Sequence, residues 1–276
     1  MVKTNLKTLI GSSWKMNKNV DESIAYAKKL NEFVLKEINT KQNIEVFFLP
    51  TFLPLFSLKK IINSPNLKYG SQNSGWQDEG SFTGEVSPAH LKDSGCTYIE
   101  LGHAERRSMF MEDDEMINRK LKAVLGNGLK PILCIGEKEK SKDIKDVFTF
   151  LAKQIKTGLK DVSPGDLNKV IIAYEPVWAI GAKHSAPVEY IEDSLAFIRE
   201  LLKKEYGSNI SQKQFIIYGG SVTPQSTPDI LNLENVNGIF IGRASLNLEY
   251  FIEMIKKAER FKISSFKTDR SLESIN

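Results

Sequence analysis

Cysteine and histidine are scarce in this 276-residue chain, and long apolar or basic runs are missing; each shortage narrows what it can do. Its two cysteines, Cys96 and Cys134, lie inside apolar runs rather than in a spaced framework, which excludes a disulfide scaffold and fits a reducing compartment. The three histidines, His90, His103 and His184, show no ligand spacing and no acidic cluster accompanies them, so neither a metal nor another cofactor is expected. No apolar stretch approaches the roughly eighteen residues of a membrane span, and no cleavable leader is legible. The net charge of +4 is spread without a basic block, which argues against nucleic acid as a partner. Together these absences predict a cytoplasmic location with neither membrane nor nucleic-acid partners.

What is present is a rhythm. Short apolar runs recur at "TLIGSSW" (8–14), "EVFFLP" (45–50), "LKYGSQ" (67–72), "TYIELG" (97–102), "KPILCIG" (130–136), "VIIAYEP" (170–176), "QFIIYGG" (214–220) and "NGIFIG" (237–242). Most are too continuously apolar for half-exposed strands, as expected of a parallel sheet covered by helices. Helix-period segments separate them. In 187–205, Ile191, Leu195, Ile198 and Leu202 share one face, and 114–126 and 246–260 are patterned alike. Eight βα units predict a closed (β/α)8 barrel. A doubly wound open sheet would need a glycine-rich phosphate turn after its first strand, and "GSSWKMN" is not one.

In such a barrel the residues closing each strand face one pocket. These are Ser13 and Lys15; His103 and Glu105; Cys134 and Glu137; Glu175; Gly219, Gly220 and Ser221; and Gly242 and Arg243. Singly, each has an ordinary structural explanation. Together they offer an anion cradle near Gly181, Ser221 and Gly242, one lysine, one imidazole and one carboxylate base.

In order and spacing, "WKMN", "GSFTGE", "LGHAERR", "CIGE", "AYEPVWAIG", "YGGSV" and "IGRASL" resemble the triose-phosphate isomerase family, up to about residue 260. The resemblance implies a single TIM-barrel domain over 1–260, a polar tail over 261–276, and interconversion of the D-glyceraldehyde 3-phosphate to dihydroxyacetone phosphate type through an enediolate. It implies Glu175 as the base and a neutral His103 as the electrophile, roles established for that family. Lys15 would supply fixed positive charge, Glu105 would hold Lys15, and Gly181, Ser221 and Gly242 would bind phosphate. "PVWAIGAKHSAP" resembles the family's lid. The loop 72–85 resembles its dimer loop, which places a threonine, here Thr83, against a neighbouring subunit's site, so a homodimer is expected.

Three positions depart from the family pattern. Ser13 replaces the asparagine of "NWK", Ala104 the serine of "GHSERR", and Gly242-Arg243 a pair of glycines; the lid tip reads "GAKHSA". Ser13 and Arg243 are still expected at the substrate. Two substrates stay open: triose phosphate in glycolysis and gluconeogenesis, or a four-carbon erythrulose phosphate in sugar-alcohol catabolism, whose enzymes look similar at "SWKMN" and "IGRA". An aldolase would want a Schiff-base lysine on a mid-barrel strand, and none is visible. A third possibility is a degenerate barrel acting as a binding or surface protein. Cys134 is expected to pack rather than attack, and His184 to be exposed.

Overall fold

The computed structural model describes residues 6–38, 43–141 and 143–273, with side chains described as far as residue 260. Eight strands alternate with helices: β1 (Thr8–Ser13), α1 (Val20–Glu37), β2 (Ile44–Leu49), α2 (Leu55–Leu58), β3 (Leu67–Ser71), α3 (Pro88–Asp93), β4 (Tyr98–Leu101), α4 (Ala104–Met109) and α5 (Asp114–Gly126). There follow β5 (Lys130–Ile135), α6 (Ile144–Gly158), α7 (Pro164–Leu167), β6 (Ile171–Tyr174), α8 (Val188–Tyr206), α9 (Ser208–Lys213), β7 (Phe215–Gly219), α10 (Thr227–Asn232), β8 (Gly238–Ile241) and α11 (Leu248–Glu273). Neighbouring strands pair in parallel in sequence order, and β1 also pairs with β8, which closes a single (β/α)8 TIM barrel. Closure leaves no strand edge unpaired.

Every strand is buried on both sides, and the two sides build separate cores. Leu9, Phe47, Tyr98, Ile132, Ile171, Ile217 and Phe240 fill the barrel interior. Their neighbours in sequence, such as Ile10, Phe48, Ile99, Leu133 and Ile172, pack outward against the helices. This two-sided burial explains why the strands read as continuous apolar runs. Ile191, Leu195, Ile198 and Leu202 of α8 turn one wholly buried face onto the sheet, as do Phe251, Met254, Ile255 and Ala258 of α11. Asn19 and Glu22 close a capping box at the start of α1. The 261–276 tail lies partly outside the described residues; as far as Glu273 its backbone continues α11.

One buried ionic cluster fastens the loops around β4. Glu112 Oε1 accepts from Lys120 Nζ of α5 (2.6 Å) and from Arg106 of α4 (2.8 and 2.6 Å). Asn73, in the loop after β3, donates to the same oxygen (3.2 Å) and accepts from Lys120 (3.0 Å). Burial pushes the Glu112 pKa up, but the hydrogen bonds and charges of Lys120 and Arg106 outweigh it and hold the carboxyl below its ordinary value. Removing the carboxylate would strand a buried ammonium, a change costing on the order of 3–5 kcal/mol. Glu112→Leu should therefore unfold at clearly lower urea concentration than the parent; an unchanged midpoint would show that the cluster does not carry this part of the fold.

Candidate active site

The first strand ends in a turn set by Trp14. Its indole is fully buried, stacked on Phe48 with centroids 5.0 Å apart and meeting Tyr26 edge-on at 4.7 Å. With Trp14 driven outward, the next residue turns back over the barrel mouth. Lys15 does so with φ of 52°, in the left-handed region that non-glycine residues seldom occupy. Gln72 at the end of β3 holds that turn, donating to the carbonyls of Lys15 and Leu49 (both 2.9 Å). The Lys15 ammonium then reaches Glu105 Oε1 at 2.6 Å.

His103 caps α4. Its Nδ1 accepts the backbone N–H of Glu105 (3.1 Å), so the neutral ring carries its proton on Nε2. That Nε2 lies 4.0 Å from Glu175 Oε2.

Glu175 follows β6, its N–H extending the ladder to Ile135 O (2.8 Å). Its side chain is buried, and Oε2 has no hydrogen-bond partner. Two glycines make the room. A Cβ at Gly136 would fall on the Glu175 carbonyl, and one at Gly219 would stand 2.5 Å from Glu175 Oε1. Behind Glu175 the chain makes a tight turn, Val177–Ala179. Glu137 anchors it, accepting from Trp178 Nε1 (2.8 Å), Tyr190 Oη (2.8 Å) and Tyr174 Oη (3.2 Å). Glu137 thus anchors the segment after Glu175 instead of facing the pocket, because three donors on the outer side of the barrel, the buried Tyr174 and the half-buried Trp178 and Tyr190, claim it.

The loops after β6, β7 and β8 meet opposite Lys15. Gly181, Ser221, Gly242 and Arg243 line one pocket with Ser13, Lys15, His103 and Glu175. Ser221 Oγ donates to Ala182 O (2.9 Å), and Arg243 Nη2 to Gly181 O (3.4 Å), so the loops after β7 and β8 hold the segment after β6. Gly181 and Ser221 both have positive φ (73° and 50°). His184 is exposed at the lid tip, and Thr83 is exposed on its loop, away from the pocket lining.

A family model described as Triosephosphate isomerase matches residues 8–258. The chain belongs to the triosephosphate isomerase family. It is 42% identical over 250 residues to the triosephosphate isomerase of Fusobacterium nucleatum, covering 91% of this chain and 98% of that protein. It is 38% identical over 250 residues to that of Dictyoglomus thermophilum (91% and 99%) and 38% identical over 253 residues to that of Chloroherpeton thalassium (92% and 99%).

Strand-end reasoning, even with the triosephosphate isomerase family in view, passes over Glu100. This residue lies inside β4, two positions after the inward-facing Tyr98, so strand alternation turns it into the barrel. It is 2% exposed, and its Oε2 accepts from Ser13 Oγ at 2.7 Å. Its Oε1 lies 4.0 Å from Cys134 Sγ. Burial pushes the Glu100 pKa up to about 7; His103 draws it down, Glu175 pushes it up, and the Ser13 hydrogen bond and Lys15 draw it down. Burial, Glu175 and Glu100 raise the Cys134 pKa well above the usual thiol value, so Cys134 packs as a thiol and is no nucleophile. The signal was available: a glutamate inside an apolar run, in phase with an inward aromatic.

A carboxyl titrating higher in the folded chain than in the unfolded one stabilises the fold at low pH. That contribution is fully present below about 4.5, the ordinary glutamate value, and is lost as pH rises through about 7. Glu100→Gln removes the titration. Its melting temperature relative to the parent should rise between pH 5 and pH 8; a pH-independent difference would mean that Glu100 does not titrate in this range.

Proposed function

We propose that this chain is an aldose–ketose isomerase of a short phosphorylated sugar, interconverting D-glyceraldehyde 3-phosphate and dihydroxyacetone phosphate. The observation that carries the reading is the meeting of three groups in one pocket: the half-bare Glu175 carboxylate, the His103 Nε2–H 4.0 Å from it, and the Lys15 ammonium. Glu175 takes the proton from the carbon beside the carbonyl, its unpartnered Oε2 being free to receive it. His103 gives its Nε2 proton to the carbonyl oxygen and recovers one from the neighbouring hydroxyl. Lys15, oriented by Glu105, balances the charge of the enediolate. Glu175 returns its proton to the adjacent carbon, and the sum is a shift of hydrogen with nothing gained or lost. Gly181, Ser221, Gly242 and Arg243 hold the phosphate, and the lid excludes water from the intermediate. Each step uses only side chains of this protein.

The same reading includes a homodimer in the cytoplasm. Met16, Leu53, Phe56, Phe82, Met109 and Met111, all exposed on segments following β1 to β4, are the apolar residues such an interface would cover. Met16, at 93% exposed, is the most open of them. Thr83, on the same side, would then reach the neighbour's pocket. Among the described residues no helix is long and apolar enough to cross a membrane.

A second substrate, an erythrulose phosphate, is favoured by one observation. Ser13 is shorter than the asparagine the family pattern has there, and its hydroxyl proton is committed to Glu100, which leaves a wider wall. The ratio of kcat/KM for glyceraldehyde 3-phosphate to that for erythrulose phosphates decides between the two: the proposal expects the triose to win, and a tetrulose ahead by orders of magnitude would reassign the substrate. Glu175→Asp, which withdraws the base by one methylene, should lower kcat by about 10²–10⁴-fold with an unchanged far-UV circular dichroism spectrum. Undiminished turnover would remove Glu175 from the reaction.

A further inference from the structure

The Ser13–Glu100 hydrogen bond has a consequence for what the pocket can recognise. A serine hydroxyl has one proton and two lone pairs. Toward an ionised carboxylate it can only donate, and Ser13 Oγ stands 2.7 Å from Glu100 Oε2. With that proton committed, only oxygen lone pairs are left for the pocket, which Ser13 lines. An asparagine at this position would instead offer amide N–H groups. Glu100 has no charged partner in direct contact: Lys15 acts on it from beyond β1, His103 from the end of β4 and Glu175 from the end of β6, while the Cys134 thiol of β5 lies 4.0 Å from its other oxygen.

We propose that Ser13 and Glu100 form a polarity switch in the wall of the substrate pocket. With Glu100 ionised, Ser13 accepts a hydrogen bond and selects a substrate hydroxyl. With Glu100 protonated, the carboxyl O–H donates to Ser13 Oγ, and the serine proton is released to point at the substrate, where an ether or carbonyl oxygen can take it. The proton comes from solvent and returns to it, and no covalent bond to substrate is involved. The burial of Glu100 sets this exchange at about pH 7. Glu100 is thus a positioning residue acting through Ser13; the inference rests on the pocket's taking a phosphorylated sugar, as proposed above.

The test uses two isomeric phosphate esters, 3-hydroxypropyl phosphate, which carries an O–H donor, and 2-methoxyethyl phosphate, whose ether oxygen only accepts. Their common phosphate cancels from the ratio of dissociation constants, measured by calorimetry at pH 8.5 and 5.5 on the full chain. The parent should prefer the hydroxyl isomer about tenfold at pH 8.5, the worth of one hydrogen bond, and lose most of that preference at pH 5.5. Glu100→Gln should show a preference that does not change with pH, and Ser13→Ala none at either pH. A parent preference equal at both pH values, or a preference surviving in Ser13→Ala, overturns the switch. Calorimetry needs no turnover, so a pH-dependent preference in a chain that isomerises nothing would support the switch and sink the isomerase reading. If neither ester binds, both fall.

Discussion

A carboxylate buried with one oxygen unpartnered is the constraint around which this pocket is organised. Glu175 could satisfy itself by drawing in a donor, and the surrounding residues prevent it. Gly136 and Gly219 clear the space it fills, so close packing fixes its position. The imidazole opposite carries its proton on the nitrogen facing Glu175, at 4.0 Å, because the other nitrogen is committed to a backbone N–H of α4. A carboxylate left half-bare in a buried site is costly to fold, and under the proposed function it is the group that takes a proton from carbon.

The barrel supplies the stability that tolerates this. Its interior core and its outer core are separate; towards one end of the interior Glu45 accepts from Tyr98 Oη and pairs with Lys7 (3.3 Å), and Ser13, Glu100 and Cys134 lie at the other, the pocket end. The left-handed backbone of Lys15 and Ser221, worth on the order of 1–3 kcal/mol of strain each, sits at the same level. The Glu112 cluster and the Glu137 anchor act from outside the pocket, one fixing the segment that bears His103 and the other the foot of the lid.

The eight strands were legible because parallel strands covered on both faces must be continuously apolar, and each run in the sequence coincides with a strand. The same property concealed Glu100. Continuous apolar character masks the alternation by which Tyr98 and Glu100 share the inward face of β4. Glu137 was legible as a polar residue closing a strand but not as a lid anchor, since its partners Trp178 and Tyr190 come from segments 41 and 53 residues away. The short helices α2, α3 and α4 escaped periodicity because four to six residues contain barely a turn or more of pattern. Lys15, His103 and Glu175 were readable as strand-end residues, and only the folded chain shows which of their atoms face one another.

Solvent-deuterium uptake at the carbon beside the carbonyl of dihydroxyacetone phosphate, followed by proton NMR in deuterated buffer, tests the central claim most directly. It detects abstraction of a carbon-bound proton by a protein base, whatever the rate of net isomerisation. The account predicts rapid stereospecific uptake of one deuterium with the parent chain and its near-complete loss in Glu175→Gln. Uptake that persists in that variant would contradict the role of Glu175, and no uptake by the parent would contradict the enediolate chemistry itself.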